Sequence, residues 1–333
     1  MTLTLPFDLY QRYRHCAEII EVLSPARVLD VGGCIGDEGG HLAVPRDFLE
    51  NQDRPIEVVS SDLRHCDDWS HVPADALGLP FHDEAFDLAF SLDVLEHIPA
   101  AQREAFLSEL YRVASRWIVV GAPLATRETV DAERLLAERL MRDHMFLAEH
   151  QEFGLPTEAL IQDFFREKGC DFLSFPNGYL PAWIESQILT QMLFRIPDIR
   201  VVHRFNQLRN THCYPSELRG PCYRRICLIA KPAGRWSPEQ QNRLQAITGR
   251  MEASESQKRV AEDPRFADMA AVVFDELDRR AGALRDAQFL ANARLDLIDL
   301  MARERDALIY ELKEKPLRDL ALQRFKERRR KGR

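Results

Sequence analysis

The chain has 333 residues, a net charge of −8 and a hydrophobic fraction of 45%. This composition is enough for a sizeable core, and the negative charge gives no global basic field to attract nucleic acid or an anionic membrane. No run of about 18 apolar residues occurs, so no membrane span is predicted. The N-terminal stretch lacks the basic start and apolar core of a signal peptide.

The first predicted elements are a helix over 8–23 and four short apolar strands with a covering helix over 101–113. The strands are predicted at 27–31, 56–60, 86–91 and 117–121. Strands that alternate with helices over this length indicate a parallel sheet with right-handed crossovers.

The second half of the sheet is predicted from weaker signals. Residues 126–149 have a helical, charge-rich pattern that suits part of a lid, and a helix over 157–168 has Thr157 as N-cap and Gly169 as its stop. Strands at 171–175 and 225–230 bring the strands with predicted positions to six in a sheet that is predicted to have seven. The predicted fold class is α/β: a Rossmann-like, seven-stranded, mostly parallel sheet with helices on both faces.

The turn after the first strand is rich in glycine and in acids. Glycines at 32, 33 and 36 let the backbone approach a ligand closely. Asp30, Asp37 and Glu38 crowd this turn, where a dinucleotide would place its anionic pyrophosphate. S-adenosylmethionine (SAM) has no phosphate and carries a sulfonium cation, so the acids favour it. Cys34 and Asp37 also break the GxGxxG spacing of a dinucleotide site.

Two further acids follow the next strands. Asp62 ends the second strand, where a carboxylate can accept both ribose hydroxyls, and a surface acid is the alternative. Asp75 precedes the apolar bend Ala76–Phe81, where it can accept a hydrogen bond from the adenine amino group while Ala76 and Leu77 lie against the ring. An ordinary loop acid is the alternative here too.

Five motifs occur in order over residues 25–125: VLDVGGCIG, VVSSDL, ADALGLPF, FDLAFSLDVLEHIP and WIVVGAP. In this the chain resembles the class I SAM-dependent methyltransferases of the DVLEH type. The resemblance implies a seven-stranded sheet and SAM as methyl donor. It also implies cofactor contacts at Asp30, Gly32, Gly36, Asp62, Asp75, Ala76 and Ser91. Gly33 joins the predicted cofactor site because its backbone can approach the ligand closely. Cys34 stands where that family usually has glycine.

Two histidines are the candidate catalytic residues, because an oxygen acceptor usually needs a base near neutral pH. His97 closes the DVLEHIP loop, and its alternative role is to stabilise that loop. His150 lies in an EHxxFGLP stretch, and it is either a base, an acceptor-binding residue or a loop-shaping residue. The histidines look isolated in sequence and no metal site is predicted.

The acceptor is predicted to be a saccharide or another glycan-related molecule. The EHxxFGLP stretch resembles a segment of methyltransferases often associated with bacterial glycan assembly. Tyr179 and Trp183, in NGYLPAW, offer aromatic faces that either stack on such an acceptor or pack under the lid. A lipid-soluble or secondary-metabolite acceptor is the alternative.

The domain prediction is a methyltransferase domain over 1–235, a linker or short helix over 236–263, a long-helix coiled-coil extension over 264–316 and a basic tail over 317–333. Eleven of thirteen positions on a four–three spacing in the extension are apolar, which predicts a homo-oligomer or docking to a partner such as a glycosyltransferase. The tail is either solvated or in weak contact with a membrane surface. A non-catalytic scaffold is the alternative for the whole chain.

The seven cysteines are dispersed over the first 227 residues without a CxxC pair. This pattern predicts reduced thiols, and hence a cytoplasmic protein, rather than a disulfide framework or a zinc site.

Overall fold

The structure is a computed structural model of the chain. It describes residues 5–36, 42–44, 49, 55–139, 145–193, 199–248, 255, 258–259 and 262–264. Apart from Pro264, the predicted coiled coil over 264–316 lies outside the described residues, as does the basic tail over 317–333.

A seven-stranded sheet forms the centre of the described chain. Its strands are β1 (Arg27–Val31), β4 (Glu57–Asp62), β5 (His71–Pro73), β6 (Phe86–Leu92), β7 (Ala114–Pro123), β8 (Asp171–Tyr179) and β9 (Cys222–Ala230). Their order is β5-β4-β1-β6-β7-β9-β8. Neighbours from β5 to β7 are parallel, whereas β9 is antiparallel to both β7 and β8. The remaining strands, β2 (Ile35–Gly36) and β3 (Leu42–Ala43), pair as a separate antiparallel hairpin.

Eight α-helices of four residues or more surround the sheet in the part of the chain that is described. They are α1 (Phe7–Leu23), α2 (Arg103–Val113), α3 (Arg127–Arg139), α4 (Met145–Phe153), α5 (Glu158–Glu167), α6 (Leu180–Leu193), α7 (Ile199–His212) and α8 (Pro238–Gln245).

Helices cover both faces of the sheet, because the buried strands are apolar on each side. Along β7, Trp117 and Val119 face the same core as α1, while Ile118 and Val120 face the core that contains α2 and α5. This alternation follows from the two-residue period of a strand. The predicted α/β class with a mostly parallel, seven-stranded sheet is confirmed.

Most predicted elements are present, with shifted ends. β1 has the predicted bounds, and Thr157 caps α5 by accepting a hydrogen bond from the Leu160 N–H at 3.1 Å. Gly169 follows α5 with φ +72°, as expected for its stop. The sequence did not predict β5, α6 or α7. The three residues of β5 include a histidine and a proline at the sheet edge, so the strand pattern is weak there.

The predicted linker over 236–263 contains α8, which packs on the core. Ser237 caps this helix in a capping box with Gln240. Leu244 and Ile247 are buried in the same core as α1. The packed chain therefore continues to at least Ile247.

No helix among the described residues is both long and apolar enough to cross a membrane.

Candidate active site

The predicted site residues meet at one edge of the sheet, because the carboxyl ends of β1, β4 and β6 lie side by side. Val31 pairs with Ser61 of β4 on one side and with Ser91 of β6 on the other. The loops after these strands carry the glycine turn, Asp62 and the DVLEH stretch. Ligands of open α/β sheets bind outside such an edge.

The glycine turn is held close to both neighbours. Gly32 has φ +86°, and the Val94 side chain occupies the space that a Cβ at this position would need. A Cβ at Gly33 would lie 2.7 Å from the Asp30 carboxylate. Only glycine fits these two positions without a shift. Gly36 is different, because no atom lies within 4 Å of the place where its Cβ would be.

Asp30 is buried beneath this turn. The Tyr13 hydroxyl donates to Asp30 Oδ2 at 2.8 Å, whereas the Oδ1 atom has no partner among the described residues. Burial raises the pKa of Asp30 to about 7, and the Tyr13 hydrogen bond only partly opposes this. Asp30 is therefore a buried acid whose pKa is close to neutral pH and whose Oδ1 atom is not used by the described fold.

Both oxygens of the Asp62 carboxylate have partners. Oδ2 accepts the Cys34 N–H at 3.2 Å, and Oδ1 accepts the Arg64 N–H at 2.9 Å and Arg64 Nε at 3.2 Å. The Arg64 guanidinium also contacts the Cys34 carbonyl oxygen. Because half of the Arg64 side chain is exposed, its hold on Asp62 is an exposed ion pair of about 0–1 kcal/mol.

The prediction that all cysteines are reduced thiols is wrong. Cys34 and Cys66 form a disulfide, while the other five cysteines are free. The two residues are 32 positions apart, and they meet because β1 and β4 are neighbours whose following loops lie together. The disulfide fastens the glycine turn to the loop that follows Asp62.

Asp75, Ala76 and Ser91 lie at the same edge. Asp75 is exposed and its Oδ1 accepts the Leu77 N–H at 2.9 Å, while Ala76 packs on the core beside α2. Ser91 is buried, and its hydroxyl is unpartnered within the described chain.

The interpretation of the histidines as isolated is also wrong. The rings of His97 and His150 lie 4.8 Å apart between centroids. One ligand atom from each of Glu96, His97 and His150 lies within 4.8 Å of the other two. We call these three residues the Glu–His–His cluster. Its members come together because α4 packs against the turn Leu95–His97 after β6.

Each histidine is held by a carboxylate. His97 Nδ1 lies 2.7 Å from Glu149 Oε2, and His150 Nδ1 lies 2.8 Å from Glu133 Oε1. Carboxylate oxygens accept, so Nδ1 is the donor in both pairs, and in the neutral form of each ring the lone pair is on Nε2. Burial, with the neighbouring His150, lowers the pKa of His97 despite the opposing effect of Glu149.

The Nε2 atom of His150 has no assigned role within the fold. His150 is 6% exposed, and its Nε2 has no hydrogen-bond partner among the residues described. Glu96 is 1% exposed and its Oε2 is equally unpartnered. Burial, followed by the nearby Asp93, raises the pKa of Glu96 well above its usual range.

Three helices, α3, α4 and α6, form a cap beside this cluster. Tyr223 of β9 donates its hydroxyl to Glu133 at 2.7 Å, and Trp183 of α6 stacks on the Tyr223 ring at 3.5 Å. Trp183 is 4% exposed. Of the two roles left open for this aromatic, the structure favours packing under the cap over stacking on an acceptor.

Arg224 joins the elements around the site, and sequence reasoning missed it. It is 1% exposed and pairs with Asp8 of α1 at 2.9 Å and with Asp93 at 2.8 Å. Arg12 also contacts Asp93. Burial opposes ionisation of Asp8, but Arg224 and Arg12 more than offset it, so the Asp8 pKa lies below its usual value. This network fixes α1 and β9 to the loop that leads to Glu96.

The edge fits SAM by its shape and its donor set. It combines a turn at which a Cβ does not fit with buried oxygens of Asp30, Ser61 and Ser91 that lack partners in the described chain. Unpartnered buried polar atoms are costly unless a ligand or water satisfies them. No basic side chain contacts the glycine turn among the described residues except Arg64. This suits a cationic ligand without phosphate better than a dinucleotide.

Residues 48–116 match a family model described as a methyltransferase domain. Among solved structures, the chain is similar to a SAM-dependent methyltransferase from Archaeoglobus fulgidus, with 17% identity, 67% of this chain and 93% of that chain covered, and a TM-score of 0.42. It is also similar to a magnesium protoporphyrin IX methyltransferase with bound SAH from Synechocystis, with 13% identity, coverage of 67% and 84%, and a TM-score of 0.40.

A third similar structure is a putative sarcosine dimethylglycine methyltransferase from Galdieria sulphuraria, with 14% identity, coverage of 67% and 84%, and a TM-score of 0.41. Similarities of this size transfer no acceptor from those proteins to this chain. The family match spans β4, β5, β6 and α2. It bears out the prediction of a methyltransferase domain over this part of the chain.

Proposed function

We propose that this methyltransferase methylates a hydroxyl oxygen of a saccharide or another glycan-related acceptor, at the Glu–His–His cluster. The observation that carries the proposal is the buried, unpartnered Nε2 of His150, whose ring is oriented by Glu133. A histidine oriented in this way is suited to hydroxyl activation. The saccharide class is supported by the likeness of residues 149–156 to glycan-associated methyltransferases.

The chemistry requires alignment and the removal of one proton. A bond forms between the acceptor oxygen and the methyl carbon while the carbon–sulfur bond breaks, and S-adenosylhomocysteine (SAH) leaves. SAM supplies the electrophilic methyl group. The Glu–His–His cluster orients the acceptor hydroxyl and draws away its proton, and His97 and His150 are the residues proposed for this task.

The cofactor is proposed to lie along the glycine turn and the adjacent strand ends. Asp62 accepts from the ribose hydroxyls once the exposed Arg64 guanidinium moves aside. Asp75 and Ala76 hold the adenine. The other proposed contacts are Asp30, Gly32, Gly33, Gly36 and Ser91.

Val94 connects this region to the cluster, because its side chain contacts Gly32 and it precedes Glu96 by two residues.

The experiment is product analysis with SAM and a panel of saccharide, lipid and aromatic hydroxyl acceptors. We expect SAH and a singly methylated saccharide. His150→Asn is expected to lower the transfer rate by about 10²–10⁴-fold while SAM binding is retained. His82→Asn, at an exposed loop histidine, is the matched control. Wild-type transfer by His150→Asn would contradict the assignment of the site, and methylation of lipid or aromatic acceptors alone would contradict the acceptor class.

We also propose that residues 264–316 assemble the enzyme into a homo-oligomer, with a glycosyltransferase as the alternative partner of this segment. The support is the apolar four–three spacing. Every strand in the described part of the chain, and the packed α8, precede residue 249, so a chain without 265–333 keeps the whole described sheet. Light scattering should give this truncated chain a smaller number of subunits than the full chain. An unchanged number would contradict the proposal.

A further inference from the structure

The Glu–His–His cluster has the ligand types of a metal centre. Two imidazole nitrogens and one carboxylate oxygen lie within 4.8 Å of one another. Ligand atoms of one cation at about 2.1 Å from the metal are about 3–4 Å apart, so small side-chain rotations close the set. Two of the three residues, Glu96 and His150, are more than nine-tenths buried.

The groups around the cluster are those that orient metal ligands. A metal-bound histidine commonly donates its other ring N–H to a carboxylate. Here Glu149 accepts from His97 at 2.7 Å and Glu133 accepts from His150 at 2.8 Å. Both histidines therefore have the same arrangement, although their carboxylates come from different helices, α4 and α3.

Two polar atoms of the cluster that make no hydrogen bond indicate a cation as their partner. Glu96 Oε2 and His150 Nε2 are buried without a hydrogen-bond partner among the described residues. The neighbouring carboxylate, Asp93, is already neutralised by Arg12 and Arg224. Glu96 forms no ion pair among the described residues, and the nearby Arg12 and Arg224 only partly offset the effect of its burial. A buried carboxylate without a direct cationic partner is costly.

We propose that Glu96, His97 and His150 bind a divalent cation of the Mn²⁺, Co²⁺ or Zn²⁺ type. Two imidazoles and one carboxylate suit these ions and leave coordination positions open. The inference rests on the proposed function and deepens it. The cation binds the acceptor hydroxyl at an open position and lowers its pKa, so that the proton leaves to solvent. With the cation bound, His97 and His150 activate the hydroxyl as metal ligands and not as the base that takes its proton, and Glu133 and Glu149 are positioning residues.

The test is a titration of the full-length protein, whose disulfide is kept intact, with Mn²⁺. Binding is measured as the loss of the electron paramagnetic resonance signal of free Mn²⁺. We expect one bound Mn²⁺ per chain. His97→Asn and Glu96→Gln should each weaken binding by about 100-fold, and Glu149→Gln by about 10-fold. His65→Asn, at an exposed histidine near Cys66, should bind as the wild type does.

Circular dichroism and SAM calorimetry on each variant separate lost ligands from lost folding. Absence of Mn²⁺, Co²⁺ and Zn²⁺ binding by the folded wild type would overturn the inference, as would unchanged binding by His97→Asn. Transfer at an undiminished rate after exhaustive chelation would overturn it while leaving the proposed function intact. Absence of transfer with bound cation, SAM and every acceptor would instead refute the proposed function alone.

Discussion

Asp30→Asn tests the buried acid beneath the glycine turn. In the folded protein the Asp30 pKa is raised from 3.8 to about 7, chiefly by burial. Between these two pH values the folded state keeps its proton while the unfolded state loses it. Stability therefore falls as pH rises through this window and levels off above pH 7. At 1.36 kcal/mol per pKa unit, the shift corresponds to roughly 4 kcal/mol.

The assay is urea unfolding of the wild type and Asp30→Asn between pH 4 and pH 8. The difference in the free energy of unfolding should change by about 1.4 kcal/mol per pH unit up to pH 7 and then stay constant. The Tyr13 hydroxyl can still donate to the asparagine oxygen. Any contact that is lost in the variant therefore shifts its free energy of unfolding by a constant amount at every pH. Asp67→Asn, at a fully exposed carboxylate, is the control. If the free energies of unfolding of the wild type and Asp30→Asn changed with pH in parallel, the reasoning would be refuted.

Three other substitutions test the parts that surround the cofactor edge. Arg224→Met removes the buried cation that pairs with Asp8 and Asp93, although Asp93 keeps its contact with Arg12. The free energy of unfolding should drop by about 3–5 kcal/mol in urea titration, and a loss below about 1 kcal/mol would count against the network. Gly32→Ala introduces a Cβ at φ +86° against Val94 and should cost about 1–3 kcal/mol, whereas Gly36→Ala, in open space, should cost much less; equal losses would contradict the described turn. Arg64→Ala frees Asp62 and should tighten SAM binding by up to about 5-fold in calorimetry; weaker binding would show that Arg64 assists the cofactor.

The sequence was most informative where the signal is local. The residues of β1 form an apolar run that is bounded by a turn, and the N-cap at Thr157 is a single contact within one helical turn. The order of the motifs also predicted that Asp30, Asp62 and Ser91 lie at one edge of the sheet, because the carboxyl ends of parallel strands meet there.

Contacts between distant segments were not accessible to the same reasoning. His97 and His150 are 53 residues apart, and their proximity depends on how α4 packs against the turn after β6. The Cys34–Cys66 disulfide and the Arg224 network likewise depend on strand order and helix placement. The sequence did contain one hint of the cluster, since a glutamate precedes the histidine at both 97 and 150. Such a dipeptide does not indicate which segments of the chain come into contact.

The run NGYLPAW shows a different limit. Asn-Gly is typical of a turn, but here β8 continues through Asn177 and Gly178, with Gly178 at φ +73°. The strand then passes directly into α6, which carries Trp183 into the cap. From the sequence alone, an aromatic side chain in such a run is predicted to be exposed and able to stack on a ligand. The helix that buries it is known only from the structure.

Calorimetric titration of the full-length protein with SAM and SAH tests the cofactor edge most directly. We predict micromolar binding of both ligands, with Asp62→Ala weaker by roughly 1.5–3 kcal/mol for each charged hydrogen bond lost. No binding at millimolar ligand, or unchanged affinity in Asp62→Ala, would contradict the placement of the cofactor.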